Sequence, residues 1–260
     1  MSYISISLNE LLECKDNRFL NIICYPIVSN ECFQYRIKKL EELEIEEIIF
    51  NQKDKNIFPI GKGCKSIVVL VKRKGELLAA KILRVDSSKK DLLYEAEMLK
   101  YVNKIGIGPL FIAANELIIL MEYIKGLEMR EWILNLEEDK IELLKNVLKK
   151  LLIDCFKLDK AGIDHGELSN AKKHIIIKDN LDPKPVIIDF GKASLNRKPS
   201  NVSSIVNYLF FSGNLSLKIC KMLSINKPPI GFIKEYKKDY SKEKFLKILK
   251  EIIGEEITFI

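Results

Sequence analysis

Two short apolar runs separated by a turn constrain the fold of this 260-residue chain more than any other feature. The first run is Ile175-Ile-Ile177, and the second, Val186-Ile-Ile188, leads directly into Asp189-Phe-Gly. Residues 179–185 between them are rich in turn formers, so the two runs predict a β-hairpin. Because a hairpin brings its ends together, we expect Asp189 to lie close to Glu167 in the polar segment that precedes the first run. Taken alone, Asp189 also fits a turn-forming aspartate before Phe-Gly.

The composition predicts a protein with a sizeable core and a well-solvated surface, since 47% of the residues are hydrophobic and 30% are charged. No apolar run approaches the ~20 residues of a membrane span, and the N-terminus has no signal-peptide pattern. We therefore expect a cytoplasmic protein without a membrane partner. The six cysteines form no Cys-x-x-Cys pair, which leaves zinc and thioredoxin-type sites without support. The net charge of the chain is +7, which suits a polyanionic ligand. Most of the lysines, however, alternate with apolar residues at helical spacing, a pattern typical of the solvated faces of amphipathic helices.

The order of the predicted elements indicates an α+β fold, with a β-rich first part and a helical second part. Residues 1–55 predict a small N-terminal β-α-β extension: a strand over 20–25, a helix capped by Ser29 and a strand over 44–50. Residues 56–124 predict an antiparallel sheet with one helix that begins near residue 88. Residues 125–260 predict a reduced helical lobe.

A glycine-containing loop stands between the first two strands of this predicted sheet. Gly61 and Gly63 permit a tight turn and a close approach of backbone N–H groups to phosphate oxygens, and Ser66 occupies the third position of the pattern. A hairpin with turn glycines has the same pattern, so the loop alone leaves both interpretations open.

Lys81 follows apolar residues on a predicted strand, where a buried ammonium group requires an anion. The helix downstream supplies Glu95, which shares a face with Leu92 and Leu99 and therefore lies beside the buried stripe. Glu97 lies on a more solvated face of that helix. We expect an ion pair between Lys81 and Glu95, and the alternative is an edge-strand lysine that extends into water.

Taken in chain order, these pieces resemble the protein-kinase superfamily over roughly residues 58–212. The segment His165-Gly-Glu-Leu-Ser is similar to the His-x-Asp-Leu-Ser/Thr catalytic loops in the small atypical archaeal branch of that superfamily. The segment Tyr94-Glu-Ala is similar to the Glu-Ala helix motif of the same branch. This branch contains the RIO kinases and the kinase of the archaeal tRNA-threonylcarbamoylation complex. The resemblance implies a bilobal protein-kinase-like fold and an Mg-ATP-dependent atypical serine/threonine kinase.

The resemblance also implies a role for each matched position. Glu167 would orient the attacking hydroxyl and accept its proton, Asp189 would hold Mg²⁺, and His165 would support the Asp-Phe-Gly backbone. The ATP contacts would come from the glycine loop, the strand lysine with its helix glutamate, and an adenine-binding hinge: Gly61, Gly63, Ser66, Lys81, Glu95, Met121, Glu122 and Tyr123.

The chain departs from the family pattern in the catalytic loop. Glu167 is one methylene longer than the expected aspartate, and a displacement of about 1 Å can cost roughly 10²-fold in rate. The position of the metal-binding asparagine is Lys172 when counted from the loop and His174 when counted from the following strand. Asn170 is the nearest amide. Asn170 and His174 are therefore both candidate metal ligands beside Asp189.

Two other functions remain open. The changes in the loop favour an ATP-binding pseudokinase or a slow ATPase that serves as a partner-controlled scaffold, whereas the retained Lys81, Glu95 and Asp189 oppose it. A small-molecule phosphotransferase shares such loops but normally has a larger substrate lobe.

The resemblance implies that the partners are ATP and an unknown protein substrate. A ribosome- or tRNA-linked partner follows only by analogy with the related kinases. The serine-bearing residues 193–204 are a candidate autophosphorylation segment. Gly166 replaces the arginine that senses activation-loop phosphorylation, so we do not expect control of that kind.

Overall fold

The computed structural model describes residues 2–14, 16–27, 29–53, 56–226 and 228–254. The fold is α+β, as predicted, and the chain divides into two compact units. The first unit comprises residues 1–103 and 109–123 and contains an eight-stranded antiparallel sheet. The second unit comprises residues 104–108 and 124–260 and is mainly helical, with a three-stranded sheet. This arrangement agrees with a kinase-like bilobal fold. No helix in the described ranges is long and apolar enough to cross a membrane.

The N-terminal part of the first unit begins and ends with a strand. Its elements are β1 (Ser2–Ser7), α1 (Leu8–Glu13), α2 (Asn17–Ile23), α3 (Asn30–Glu41) and β2 (Glu47–Lys53). The expected cap of α3 is confirmed, since the Ser29 hydroxyl accepts the N–H of Cys32 at 3.1 Å. The strand predicted over residues 20–25 is wrong, because α2 lies there. Asp16 caps α2 by accepting the N–H of Arg18 at 2.9 Å.

The remaining strands of the first unit are β3 (Asn56–Phe58), β4 (Gly61–Lys62), β5 (Ser66–Arg73), β6 (Glu76–Leu83), β7 (Phe111–Ala114) and β8 (Ile118–Glu122), with α4 (Leu93–Asn103) between β6 and β7. The main sheet order is β1-β2-β5-β6-β8-β7, with β3 paired to β2 and β4 paired to β5. Helix α4 begins at Leu93, later than predicted, and just before it the Asp91 carboxylate accepts the N–H of Leu93 at 3.0 Å.

One edge of β5 is shared by two partner strands. Near the start of β5, Val68 pairs with Gly61 of β4, and further along Val71 pairs with Ile48 of β2. The opposite edge of β5 pairs with β6 along its whole length. Residues 1–55 therefore contribute strands to the same sheet as the glycine loop.

The second unit is built mainly on helices. Its elements are β9 (Gly126–Glu128), α5 (Met129–Asn135), α6 (Ile141–Lys160), a 3₁₀-helix (Leu168–Lys173), β10 (Ile175–Lys178), β11 (Pro185–Ile187), α7 (Asn201–Phe211), α8 (Asn214–Leu223), α9 (Ile230–Asp239) and α10 (Lys242–Ile253). The predicted hairpin is confirmed as β10 and β11, with Ile175 opposite Ile187. Helix α10 packs on α6, where the rings of Phe156 and Phe245 stack with centroids 4.3 Å apart.

Candidate active site

Lys81 and Glu95 form a buried ion pair in the first unit. Lys81 is 8% exposed and Glu95 is 5% exposed, and the lysine Nζ donates a hydrogen bond to Glu95 Oε1. Lys81 lies in a central strand, because β6 pairs with β5 on one side and with β8 on the other. The edge-strand alternative therefore does not apply.

A second lysine contacts the same glutamate. Lys89, in the turns that precede α4, donates from Nζ to Glu95 Oε2 at 3.1 Å. Both oxygens of the buried carboxylate thus meet a cation, which offsets the cost of removing the carboxylate from water. Sequence patterning alone did not identify Lys89, because it lies in an irregular segment without periodicity.

The glycine loop connects β4 to β5. Gly63 N–H donates to the backbone oxygen of Ser66 at 2.9 Å, and Arg84 donates from Nη1 to the backbone oxygen of Gly63 at 2.9 Å. A Cβ on Gly61 would lie 3.4 Å from the Val68 side chain, an ordinary van der Waals contact, so packing alone does not require glycine at this position. The predicted hinge residues Met121 and Glu122 end β8, and Tyr123 follows them. Burial raises the pKa of the Tyr123 hydroxyl.

The second unit brings together three of the predicted site residues. Ligand atoms of Glu167, His174 and Asp189 all lie within 4.8 Å of one another. Glu167 precedes the 3₁₀-helix, His174 follows it, and Asp189 lies just beyond β11, so the hairpin positions all three. Glu167 Oε1 also forms a 2.7 Å ion pair with Lys192 Nζ. Asn170, the other candidate ligand, lies exposed inside the 3₁₀-helix.

The backbone at Asp189 is in the left-handed region, with φ at +65°. Such a conformation costs about 1–3 kcal/mol for a residue other than glycine and persists only where its surroundings impose it. Strand β11 ends at Ile187, so Asp189 lies two residues beyond it.

His165 supports the backbone next to Asp189. Its ring is fully buried, its Nε2 lies 3.1 Å from the carbonyl oxygen of Ile188, and it makes an edge-on contact with Phe190 at 5.1 Å between centroids. Burial lowers the pKa of His165, which favours the neutral imidazole that donates to this carbonyl. The ring also meets His174 edge-on at 5.6 Å.

A buried polar network holds the backbone around His165 in place. Asn201, at the start of α7, accepts the backbone N–H of His165 at 2.9 Å and donates from Nδ2 to Asp159 at 2.8 Å and to the backbone oxygen of Ile163 at 2.6 Å. Asp159 also accepts the hydroxyl of Tyr236 at 2.9 Å. Burial raises the pKa of Asp159. This network was not predicted, although an aspartate on the apolar stripe of α6 was a usable signal.

The loop after Asp-Phe-Gly is fixed to the catalytic loop by Asp164. This buried carboxylate accepts Arg197 Nε at 2.8 Å and both the N–H and the hydroxyl of Ser200, at 3.2 and 3.1 Å. Gly166 has φ at +83°, and a Cβ there would lie 2.5 Å from Arg197 Nη2 and 2.9 Å from the carbonyl oxygen of Lys192. Only glycine fits this position without displacing the loop.

The fold and the arrangement of these residues define a protein-kinase-like protein, and comparisons with known proteins agree with this class. The chain is 34% identical over 119 residues to an EKC/KEOPS complex subunit of Schizosaccharomyces pombe, and this alignment covers 44% of the chain and 49% of that protein. It is 29% identical over 195 residues to the probable serine/threonine-protein kinase 2 of Plasmodium falciparum, and this alignment covers 67% of the chain and 37% of that protein. The chain thus spans half or less of these two relatives.

A third relative matches over nearly its whole length. The chain belongs to one family with the uncharacterized protein MJ1211 of Methanocaldococcus jannaschii, to which it is 32% identical over 122 residues, 47% of this chain and 99% of that protein. No protein-family model matches the chain.

Proposed function

We propose that this chain is an Mg-ATP-dependent atypical serine/threonine kinase. The observation that carries the proposal is the cluster of Glu167, His174 and Asp189, which presents two carboxylates and an imidazole at the end of a hairpin. Phosphoryl transfer requires little covalent chemistry from the protein and depends on positioned charges and on metal-held phosphate oxygens. The name of the Plasmodium relative, a probable serine/threonine-protein kinase, supports the same class of activity.

In this proposal the first unit binds the nucleotide. Lys81 contacts the phosphates of ATP, and Glu95 holds the lysine in place through the buried ion pair. The backbone of Gly61 and Gly63 covers the phosphates, and the residues 121–123 meet the adenine. Lys89 holds the second oxygen of Glu95 and therefore contributes to the position of Lys81.

The second unit supplies the acidic groups. Asp189 and either His174 or Asn170 hold the divalent ion, which neutralises charge on the phosphate oxygens when it is bound. The donor set fits such an ion, because the Nδ1 atom of His174 is buried and has no hydrogen-bond partner among the described residues. Glu167 orients the attacking hydroxyl and accepts its proton.

A second candidate is an ATP-binding pseudokinase or a slow ATPase scaffold. The ion pair between Glu167 and Lys192 favours it, because the ammonium group occupies the carboxylate oxygen Oε1 that a substrate hydroxyl would otherwise meet. The name of the S. pombe relative, a complex subunit, suggests that a protein partner controls the activity in either case. A link to RIO kinases, to tRNA or to the ribosome rests on analogy, and a cytoplasmic location rests on the sequence composition.

Nucleotide binding and phosphate transfer separate the two candidates. We would measure Mg-ATP affinity by calorimetry and incorporation of labelled phosphate for the wild type, Lys81→Met, Glu167→Gln and Asp189→Asn. A kinase should bind ATP and incorporate label, and Glu167→Gln should retain binding but lose transfer. The exposed Lys100→Met and Asp182→Asn serve as matched controls for the charge changes and should behave as the wild type.

The result that excludes the kinase is binding without transfer in the wild type, which supports the scaffold. No binding of Mg-ATP by the wild type contradicts both candidates. A dependence of transfer on both Lys81 and Asp189 supports the kinase, because in this proposal both residues act on the phosphates, one directly and one through the metal ion.

Autophosphorylation in residues 193–204 is a separate part of the proposal. Ser203 is 2% exposed and its hydroxyl donates to the backbone oxygen of Ser200, so we expect no label on it. Ser194, Ser200 and Ser204 are half-buried and remain the candidates. Phosphopeptide mapping after incubation with labelled ATP tests this, and label only outside residues 193–204 contradicts it.

A further inference from the structure

An aromatic ring from the N-terminal part of the first unit lies against the glycine loop. Tyr25, just beyond the end of α2, is half-buried. The Nζ atom of Lys62 lies over its ring, 3.8 Å from the centroid, and the guanidinium carbon of Arg84 lies over the same ring at 4.6 Å. A cation within roughly 6 Å of the centroid is attracted by the face of an aromatic ring. One ring therefore attracts two cations, of which Lys62 ends β4 and Arg84 follows β6.

Arg84 joins this ring to the loop. Its Nη1 atom donates to the backbone oxygen of Gly63 at 2.9 Å, and its backbone N–H donates to the oxygen of Lys65 at 2.9 Å. Its side chain also forms two hydrogen bonds with the carboxylate of Asp86, at 2.8 and 2.6 Å, and is only 14% exposed. A carboxylate, a backbone oxygen and an aromatic ring thus hold the planar guanidinium group together.

The backbone that carries the ring is itself anchored. Val85 N–H donates to the carbonyl oxygen of Tyr25 at 3.0 Å, and Ile22 and Ile23 at the end of α2 are buried in the core of the first unit. Residues 62–65 of the glycine loop, in contrast, are exposed. Exposed segments with few buried contacts open at a low free-energy cost. The anchored ring can therefore restrain the loop, whereas the exposed loop has little hold on the ring.

We propose that Tyr25 is a positioning residue for the glycine loop and that its ring raises the affinity of the loop for the phosphates of ATP. The proposal rests on the proposed function, since it gives the N-terminal part of the first unit a role in the same nucleotide site. Tyr25 acts through Lys62 and Arg84 and touches no reacting atom. A loop that is already held in one conformation loses less freedom when its ligand binds, and this raises the affinity.

Cys64 supplies a direct measurement of loop mobility, because it lies in the loop and is the exposed one of the six cysteines. We would attach a nitroxide spin label to Cys64 in the full chain without nucleotide and record its electron paramagnetic resonance spectrum. Cys64→Ser measures any label on the other cysteines. Tyr25→Leu should increase the mobility of the label, whereas Tyr25→Phe keeps the ring face and should leave the mobility unchanged.

Mg-ATP binding, measured by calorimetry, gives the functional consequence. Tyr25→Leu should weaken it by about three- to tenfold, the range that corresponds to the loss of one or two cation–π contacts. The rate of phosphate transfer at saturating ATP should stay close to that of the wild type, because the ring acts on binding alone. Tyr25→Phe should keep the wild-type affinity. Once Tyr25→Leu is present, Lys62→Met should add less than it costs alone, since the two residues share one contact.

Tyr35→Leu is the matched control. It removes a tyrosine ring from α3 that also lies under a lysine, Lys39, at 5.5 Å, but that donates its hydroxyl to Glu116. This variant should leave the label on the loop and the affinity for Mg-ATP unchanged. Circular dichroism confirms that each variant is folded. Lys62→Met, at an exposed position, keeps the test valid should Tyr25→Leu not fold, and it should also mobilise the label.

The outcomes stay distinct from those of the kinase proposal. Equal label mobility in the wild type and in folded Tyr25→Leu overturns the positioning role, and so does an equal loss of affinity in Tyr25→Leu and Tyr35→Leu. A label that Tyr25→Leu mobilises in a chain without affinity for Mg-ATP supports the positioning of the loop and contradicts the proposed function. A chain that binds Mg-ATP and transfers phosphate equally well with and without the ring keeps the kinase and loses the role of Tyr25.

Discussion

Lys81 and Glu95 bury opposite charges against each other in the first unit, and Glu95 retains a second cation in Lys89. The two members of the pair therefore differ in the partners that remain when the other is removed. Removal of Lys81 leaves the carboxylate with one lysine, whereas removal of Glu95 leaves a buried ammonium group without that carboxylate. The two single substitutions should differ in their effect on stability for this reason.

Glu95→Ala should destabilise the protein by about 3–5 kcal/mol, the usual cost of breaking a buried ion pair from one side. Lys81→Met should cost less, because Lys89 continues to neutralise Glu95 at 3.1 Å. Urea unfolding followed by circular dichroism measures both. Glu97→Ala, an exposed position on the same helix, is the control and should change stability by less than about 0.5 kcal/mol. A larger effect of Lys81→Met than of Glu95→Ala contradicts this account.

Asn201→Ala should destabilise the second unit by at least about 2 kcal/mol, since it leaves the His165 N–H and the Ile163 carbonyl without their buried partner. Thermal unfolding measures the loss. The control is Asn207→Ala, which removes the same side chain from an exposed position of the same helix and should be close to neutral. If the two variants unfold at the same temperature, the network does not stabilise the catalytic loop.

Asp154→Asn should gain stability relative to the wild type as the pH rises. Burial raises the pKa of Asp154 above its usual value of 3.8, with a smaller opposing effect from Lys157. Below pH 3.8 the carboxyl is protonated in both states, and between that value and the raised pKa the folded state binds more protons. The stability that this group contributes is thus present at low pH and is lost as the pH rises through the folded pKa.

The measurement is urea unfolding of both proteins from pH 3 to pH 7, and the quantity is the difference in the free energy of unfolding. This difference should increase through the window and then become constant. Asp139→Asn removes an exposed carboxylate just before the same helix, and its difference from the wild type should show no such rise. A constant difference for Asp154→Asn contradicts the role of burial.

Gly166→Ala should destabilise the protein more than Gly162→Ala does. Both glycines have positive φ, at +83° and +73°, so each substitution costs about 1–2 kcal/mol in backbone strain. A Cβ on Gly162 meets nothing within 4 Å, whereas one on Gly166 meets Arg197 and the carbonyl oxygen of Lys192. Thermal unfolding of the two variants isolates this contact. Equal losses would mean that strain alone requires the glycine at position 166.

Residue patterns predicted the features that depend on strong local signals. The hairpin of β10 and β11 followed from two apolar runs around a turn, and the start of α3 followed from the Ser29 cap. The proximity of Glu167 and Asp189 followed from the hairpin, because its ends must meet. In each case the signal lies within a few residues of the feature that it determines.

The errors arose where two local signals compete or where the partner is distant in sequence. The β-branched pair Ile22-Ile23 favoured a strand, but the Asp16 cap and the helical spacing of the buried Phe19 and Ile23 prevail in the structure. Strand β1 was not predicted, since its alternation is short and only half-buried. The network around Asn201 joins residues far apart along the chain, and no periodicity reveals such pairs.

The shared edge of β5 has a mechanical consequence for the glycine loop. Strand β2 pairs with β5 beside β4 and also pairs with β3, the strand that leads into β4. Backbone pairing therefore links β2 both to β5 and to β3, the strand that precedes the loop proposed to cover ATP phosphates. A chain that began at residue 56 would present half of the β5 edge to solvent as a template for aggregation and would leave the glycine loop anchored on one side only.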